Sequence, residues 1–159
     1  NSDYLKENPQ RNFAWWNNAA SRFGHNNCYN YACDYPSYSY AQPGRYGRRS
    51  AQDKRCTELI ACAKADLLDQ VEDHLPQENP DGGFYVALFN SEISDKNGNL
   101  DFHWFRKDNV IWSHKPGILL ARDYDKKGKR INNPLNCDRD IYKNFCGNFL
   151  CNPKIVKVK

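Results

Sequence analysis

The 159-residue chain contains no methionine and no apolar run near the roughly 18 residues that a membrane-spanning helix needs. The first absence removes the flexible thioether that fills irregular core gaps. Packing then falls to stiff rings, of which there are 10 Tyr, 8 Phe and 4 Trp. The second absence excludes a helical membrane span. No Cys-x-x-Cys pair occurs either, since the closest cysteines (Cys28/Cys33 and Cys146/Cys151) have four residues between them. A tight zinc knuckle is therefore not expected, and neither metal nor cofactor is assigned. Lys and Arg gather at 44–50, at 123–130 and in the tail, but the net charge is only +4 and these runs lack a recognition motif or interleaved aromatics. Nucleic acid is thus not an expected partner. There is no internal repeat or low-complexity segment, and the opening NSDYLKENPQ has no leader-like core, which suits a mature terminus.

What is present is a globular composition, 40% hydrophobic and 14% aromatic, long enough for one domain over 1–159 with a real core. Seven cysteines are many for this length. In an oxidising compartment they read as half-cystines, which places the chain outside the cell or in a periplasm. An odd count leaves one sulfur over, a free reactive thiol or an intermolecular link.

The order of elements predicts an α+β fold, N-terminal helices packed on a small antiparallel sheet. Phe13, Trp16, Ala20 and Phe23 have helical spacing within 11–23. Asn26 or Asn27 caps a second helix from about Cys28 to Ala32, which stops before Pro36. The segment 50–75 carries an amphipathic stripe of Ile60, Ala63, Leu67, Leu68 and Val71. Beyond a linker at 76–83 the period changes. FYVALFN (84–90), LDFHWFRK (100–107) and VIWSH (110–114) read as strands joined by turns at Asn97-Gly98 and Asp108-Asn109. A polar loop with Cys137, Cys146 and Cys151 follows, then a short strand near Ile155–Val158. DKNGNLD (95–101) alternates oxygens as calcium loops do, yet Asn97-Gly98 already accounts for it as a turn. YPSYSYAQPG (35–44) is either an aromatic binding surface or a rigid loop on the core.

One stretch concentrates the chemistry, HNNCYNYAC at 25–33. A cysteine at a helix start gains partial positive charge, which favours the thiolate, and a histidine in reach would accept its proton. His103 lies mid-strand, with Asp101 and Phe105 on its face. A turn at Asp108-Asn109 sets His114 opposite His103, with Cβ atoms about 4.5 to 5.5 Å apart. Cys28 is then the nucleophile, His103 the base and His114 the group that orients it. His25, Asn27, Tyr29 and Trp104 are candidates for binding the oxyanion or substrate. The other cysteines (Cys33, Cys56, Cys62, Cys137, Cys146 and Cys151) are disulfide candidates. Cys28 remains open to a second reading, as a half-cystine paired with Cys33 or another cysteine.

NNCYNYA, DFHWFRKDN and VIWSHKPG, in that order, resemble the nucleophile, base and orienting segments of papain-like cell-wall peptidases of the NlpC type. The resemblance covers about half the chain. It implies a papain-like catalytic domain that hydrolyses amide bonds in peptide or peptidoglycan-like substrates as a monomer. The Asn27-Cys28-Tyr29-Asn30 run departs from the small Asp-Cys-Ser-Gly type motif of that family. Two other functions fit the same residues. One is a disulfide-rich extracellular binding or toxin module without catalysis. The other is a cysteine-dependent acyltransferase, deamidase or transglutaminase.

Overall fold

The computed structural model describes residues 12–108 and 110–159. The segment NSDYLKENPQ, Arg11 and Asn109 of the expected turn lie outside the described residues.

Its elements, in chain order, are α1 (Phe13–Trp16), α2 (Ala20–Phe23), α3 (Cys28–Ala32), α4 (Cys56–Ala65), β1 (Asp69–Val71), β2 (Phe84–Asn90), β3 (Phe102–Asp108), β4 (Ile111–Ser113), a 3-10 turn (Pro134–Asn136) and β5 (Asn144–Cys151). The strands form one antiparallel sheet in the order β1-β5-β2-β3-β4. The α+β arrangement expected from the sequence is present.

Three elements differ from expectation. The helix expected over 11–23 is two single turns, because the Asn17 side chain leaves the helix to bond both the N–H and the carbonyl of Ala121. The long helix stops at Ala65, where Leu67 turns to φ 73° and the Asp66 carboxylate instead accepts from the Tyr29 hydroxyl and from the N–H groups of Gly44 and Gly47. Its buried stripe is Leu59, Cys62 and Ala63, and the following residues pair as β1 against β5. The last strand is not Ile155–Val158 but the Cys-containing segment Asn144–Cys151, which lies between β1 and β2. Asn, Cys and Gly in that segment are loop-like by composition, and burial between two strands overrides the propensity. Gly147 there has φ 151° at a register shift opposite Leu88/Phe89, and a Cβ would meet the Gln70 amide at 3.2 Å.

Every residue of β2 and β3 is buried, so the sheet is covered on both faces. One face packs Val86, Leu88, Trp104 and Phe149 against Cys28, Tyr29 and Ala32 of α3 and Leu59 and Ala63 of α4. The other packs Ala87, Phe89 and Phe105 under Ile131, Tyr142 and Phe145. A buried cation ties α3 to the sheet. The Arg106 guanidinium lies 4.9 Å from both the Tyr31 and Phe84 ring centres and pairs with Asp108 at 3.1 Å and Asp34 at 3.6 Å. Removing either carboxylate would leave that desolvated charge under-compensated.

The cysteines correct the expectation of three bridges. Cys56 of α4 is bonded to Cys146 of β5, and Cys28, Cys33, Cys62, Cys137 and Cys151 are free thiols. Cys33 and Cys151 are both buried in the core, where the Cys151 thiol donates to the Cys33 carbonyl at 3.7 Å. Thiol titration of the denatured, unreduced protein should therefore count five groups. The Cys56–Cys146 bridge spans 90 residues, so removing it with paired serine substitutions should cost about 4 to 5 kcal/mol in guanidinium unfolding.

Candidate functional site

α3 begins at Cys28 because Asn27 caps it. The Asn27 Oδ1 accepts from the N–H groups of Tyr29 and Asn30, and the Asn30 Oδ1 accepts in return from the Asn27 N–H. This reciprocal cap leaves the Cys28 N–H, at the first helical position, used by neither the cap nor the helix. The Asn27 Nδ2 donates one of its two hydrogens to the Ala41 carbonyl at 2.8 Å. Asn27 therefore positions the cysteine.

Tyr29 and Trp104 are displaced from their expected role. Both are fully buried and their rings stack at 5.0 Å beneath the cysteine, which makes them floor and not substrate contacts. His25 packs loosely against Tyr40, 6.4 Å between ring centres. The loop 35–44 is pinned to the core: Asn30 Nδ2 holds the Tyr35 carbonyl and the Ser37 hydroxyl, and Asn26 Oδ1 accepts from the Tyr38 N–H. Tyr38 and Tyr40 remain exposed on it.

His103 and His114 do meet. The observed pairing Arg106↔Ser113 is two residues out from the expected register, so His114 lies across from Phe105 and diagonal to His103. Both imidazoles still occupy one face. His103 Nε2 lies 2.8 Å from His114 Nδ1, and His114 Nε2 lies 2.8 Å from the Tyr124 carbonyl oxygen. His114 is not part of β4 but forms a bridge with Arg122. Phe105 stacks on His114 at 4.8 Å, and Tyr142 stacks on His103 at 5.0 Å, its hydroxyl donating to Asp101 at 2.8 Å.

Those partners fix the protons. A carbonyl only accepts, so His114 Nε2 carries hydrogen and, the ring being neutral, Nδ1 does not. His103 Nε2 must then donate to it, which leaves His103 Nδ1 as a bare acceptor. Burial keeps both rings uncharged: His103 is held well below the usual imidazole range, and His114 is lowered to about 4, with Arg122 adding to both shifts.

The Trp104 backbone N–H, one residue along β3 from His103, lies near enough to the Cys28 sulfur to favour its thiolate. Among the described residues the sulfur has no hydrogen bond to either imidazole. The expected lowering of its pKa is reversed. Burial pushes the thiol up to about 12, Asp101 adds to the rise, and the Trp104 N–H and Lys115 only partly oppose it. Lys115 is itself fully buried, its ammonium donating to the carbonyls of Asn26 and Gly117, and desolvation pulls it down to about 8.

A cavity of about 520 Å³ opens on the imidazole side, lined by His103, Phe105, His114, Ile118, Arg122 and Tyr142 among others. Lys115, Arg122 and Tyr142 are site residues that sequence reasoning missed. Only Lys115, adjacent to His114, gave any local signal. Among the described residues, no cluster of three or more His, Cys, Asp or Glu is arranged to hold a metal ion. Asp95 of the calcium-like loop spends its Oδ1 on the N–H groups of Asn97 and Asn99.

Fold and site together define a disulfide-bonded α+β domain with a buried cysteine at a helix start and a hydrogen-bonded histidine pair on the adjoining strand. It belongs to the family of insoluble matrix shell protein 1 of Ruditapes philippinarum, to which it is 32% identical over 123 residues, 77% of this chain and 76% of that protein. No family model and no solved structure matches the chain.

Neutral imidazoles make stability pH-dependent. Their folded pKa values lie below the unfolded value near 6.5, so the unfolded chain binds more protons once pH falls under that value. Stability should be full above pH 6.5 and decline towards pH 4, with His114 alone contributing on the order of 3 kcal/mol. Urea unfolding at pH 7 and pH 4.5 measures the loss, and His114→Asn should flatten it.

Proposed function

We propose that the chain is a secreted, matrix-associated protein whose Cys28, His103 and His114 form a cysteine acyl-transfer site acting on peptide amide bonds. The observation that carries this reading is the ordered relay from the Tyr124 carbonyl through His114 to His103, which leaves an unprotonated Nδ1 one residue along β3 from Trp104, against which Cys28 packs. The disulfide and a relative named as a shell matrix protein support an extracellular setting. The resemblance to papain-like NlpC-type peptidases supports the same assignment of roles, with matrix peptides in place of peptidoglycan.

The resting pair is a neutral thiol and a neutral imidazole. Attack therefore couples two events: His103 Nδ1 takes the thiol proton as Sγ bonds to the carbonyl carbon. The displaced carbonyl electron pair becomes an oxyanion, for which the unused Cys28 N–H is the nearest donor in the helix. Collapse expels the amine, which leaves with the proton from His103, and a thioester remains on Cys28. Water then gives hydrolysis, and an amine gives transfer. His114 stays neutral throughout and fixes the tautomer.

A second reading, a matrix module without catalysis, is favoured by the relative's description as an insoluble matrix protein.

Labelling of native protein with iodoacetamide, mapped by mass spectrometry, separates the two. The acyl-transfer reading expects Cys28 to be labelled, at least tenfold more slowly in His103→Ala. Because neutral His103 takes the proton in the same step, the rate should stay nearly flat from pH 7 to 10, whereas His103→Ala should rise roughly tenfold per pH unit as the thiolate alone reacts. Cys28 labelled only after denaturation, or labelled at the same rate in His103→Ala, would sink it.

A further inference from the structure

The charged groups lining the imidazole cavity are not equally satisfied. Lys126 pairs with Asp140 at 2.8 Å. Arg139 spends its guanidinium on the carbonyls of Pro134, Tyr142 and Lys143 and lies 4.6 Å from the Phe89 ring centre. Asp138 accepts from the Asp140 N–H. The nearby Asp125 carboxylate is filled by the N–H groups of Lys127, Lys129 and Asp138.

Arg122 is the exception. It exchanges two backbone hydrogen bonds with His114, 2.9 and 2.8 Å, so the two residues are direct neighbours across that bridge. Its guanidinium lies 5.2 Å from the Tyr124 ring centre, its Nε is buried, and that atom has no hydrogen-bond partner. No carboxylate pairs with it among the described residues. A buried guanidinium nitrogen without an acceptor is costly, and a planar carboxylate is the group its fork fits best. The same cavity has apolar walls at Phe105, Ile118 and Leu119. Ile118 and Leu119 are more than half exposed, which is unusual for two adjacent apolar residues in a loop.

We infer that Arg122 is a carboxylate receptor in this cavity, so that the substrate of the proposed acyl-transfer site carries an acidic group beside an apolar one. The substrate class is an acidic peptide segment, its carboxylate supplied by a side chain or by a chain terminus. The inference rests on the acyl-transfer reading for the word substrate, but anion binding itself does not need Cys28 to react.

The test titrates the native protein at pH 7.5 with three probes while following the imidazole nitrogen shifts of His103 and His114 by NMR. N-acetyl-leucine offers a terminal carboxylate, N-acetyl-glutamic acid α-amide a side-chain carboxylate, and N-acetyl-leucinamide none. At least one carboxylate probe should shift both rings saturably, and whichever binds tighter identifies the source. The leucinamide should be at least tenfold weaker. Arg122→Gln should weaken the carboxylate probe at least tenfold, and Arg122→Lys should restore part of the loss. Equal binding of the leucinamide, no shift with any probe, or full carboxylate binding by a folded Arg122→Gln protein would overturn the proposal. Iodoacetamide labelling of Cys28 in the same samples keeps the two ideas apart. Labelling that depends on His103 without anion binding defeats the receptor alone, and anion binding with an inert Cys28 defeats the acyl-transfer reading alone.

Discussion

The bond between two imidazoles on which the site depends has a direction. Because the Tyr124 carbonyl takes the proton of His114 Nε2, the hydrogen between the rings must come from His103. The far nitrogen of His103 is bare as a consequence. Reversing any member of that chain would protonate His103 Nδ1 and remove the one acceptor that the strand presents. Burial reinforces the direction by keeping both rings neutral, and Phe105 and Tyr142 hold them by stacking on their faces. An orientation fixed by packing costs no reorganisation when a proton moves.

The cysteine is prepared differently from the histidines. Its helix is five residues long, with little dipole to offer, and the sulfur is desolvated. The cap fixes where the thiol is, while its proton stays on. A thiol of this kind resists oxidation better than an exposed thiolate. Cys33 and Cys151 follow the same logic, buried and joined by a hydrogen bond from the Cys151 thiol to the Cys33 carbonyl without a covalent link.

Much of this was legible in the sequence where the signal was local. Asn27 before Cys28 announced the cap, and strand alternation put His103 and His114 on one face. The register was misjudged by two residues because Asp108, expected in the turn, still pairs with Ile111, yet an even shift preserves the face, so the histidines still meet. What depended on distant partners was not legible. Asn144–Cys151 is polar enough to pass for loop until two strands enclose it. The pairing of Cys56 with Cys146, one of many possible connectivities, follows from α4 lying against β5. Arg122 enters the site only because a bridge brings it beside His114, and no spacing rule encodes that contact.

Lys115 joins parts of the molecule that the chain keeps far apart. Its buried ammonium holds the Asn26 carbonyl, just ahead of the cysteine helix, and the Gly117 carbonyl, where the apolar rim of the cavity begins. While both carbonyls are bound, the rim cannot swing outward without tugging on the turn that seats the sulfur. Moving that rim would therefore break one of the two bonds that compensate the buried ammonium.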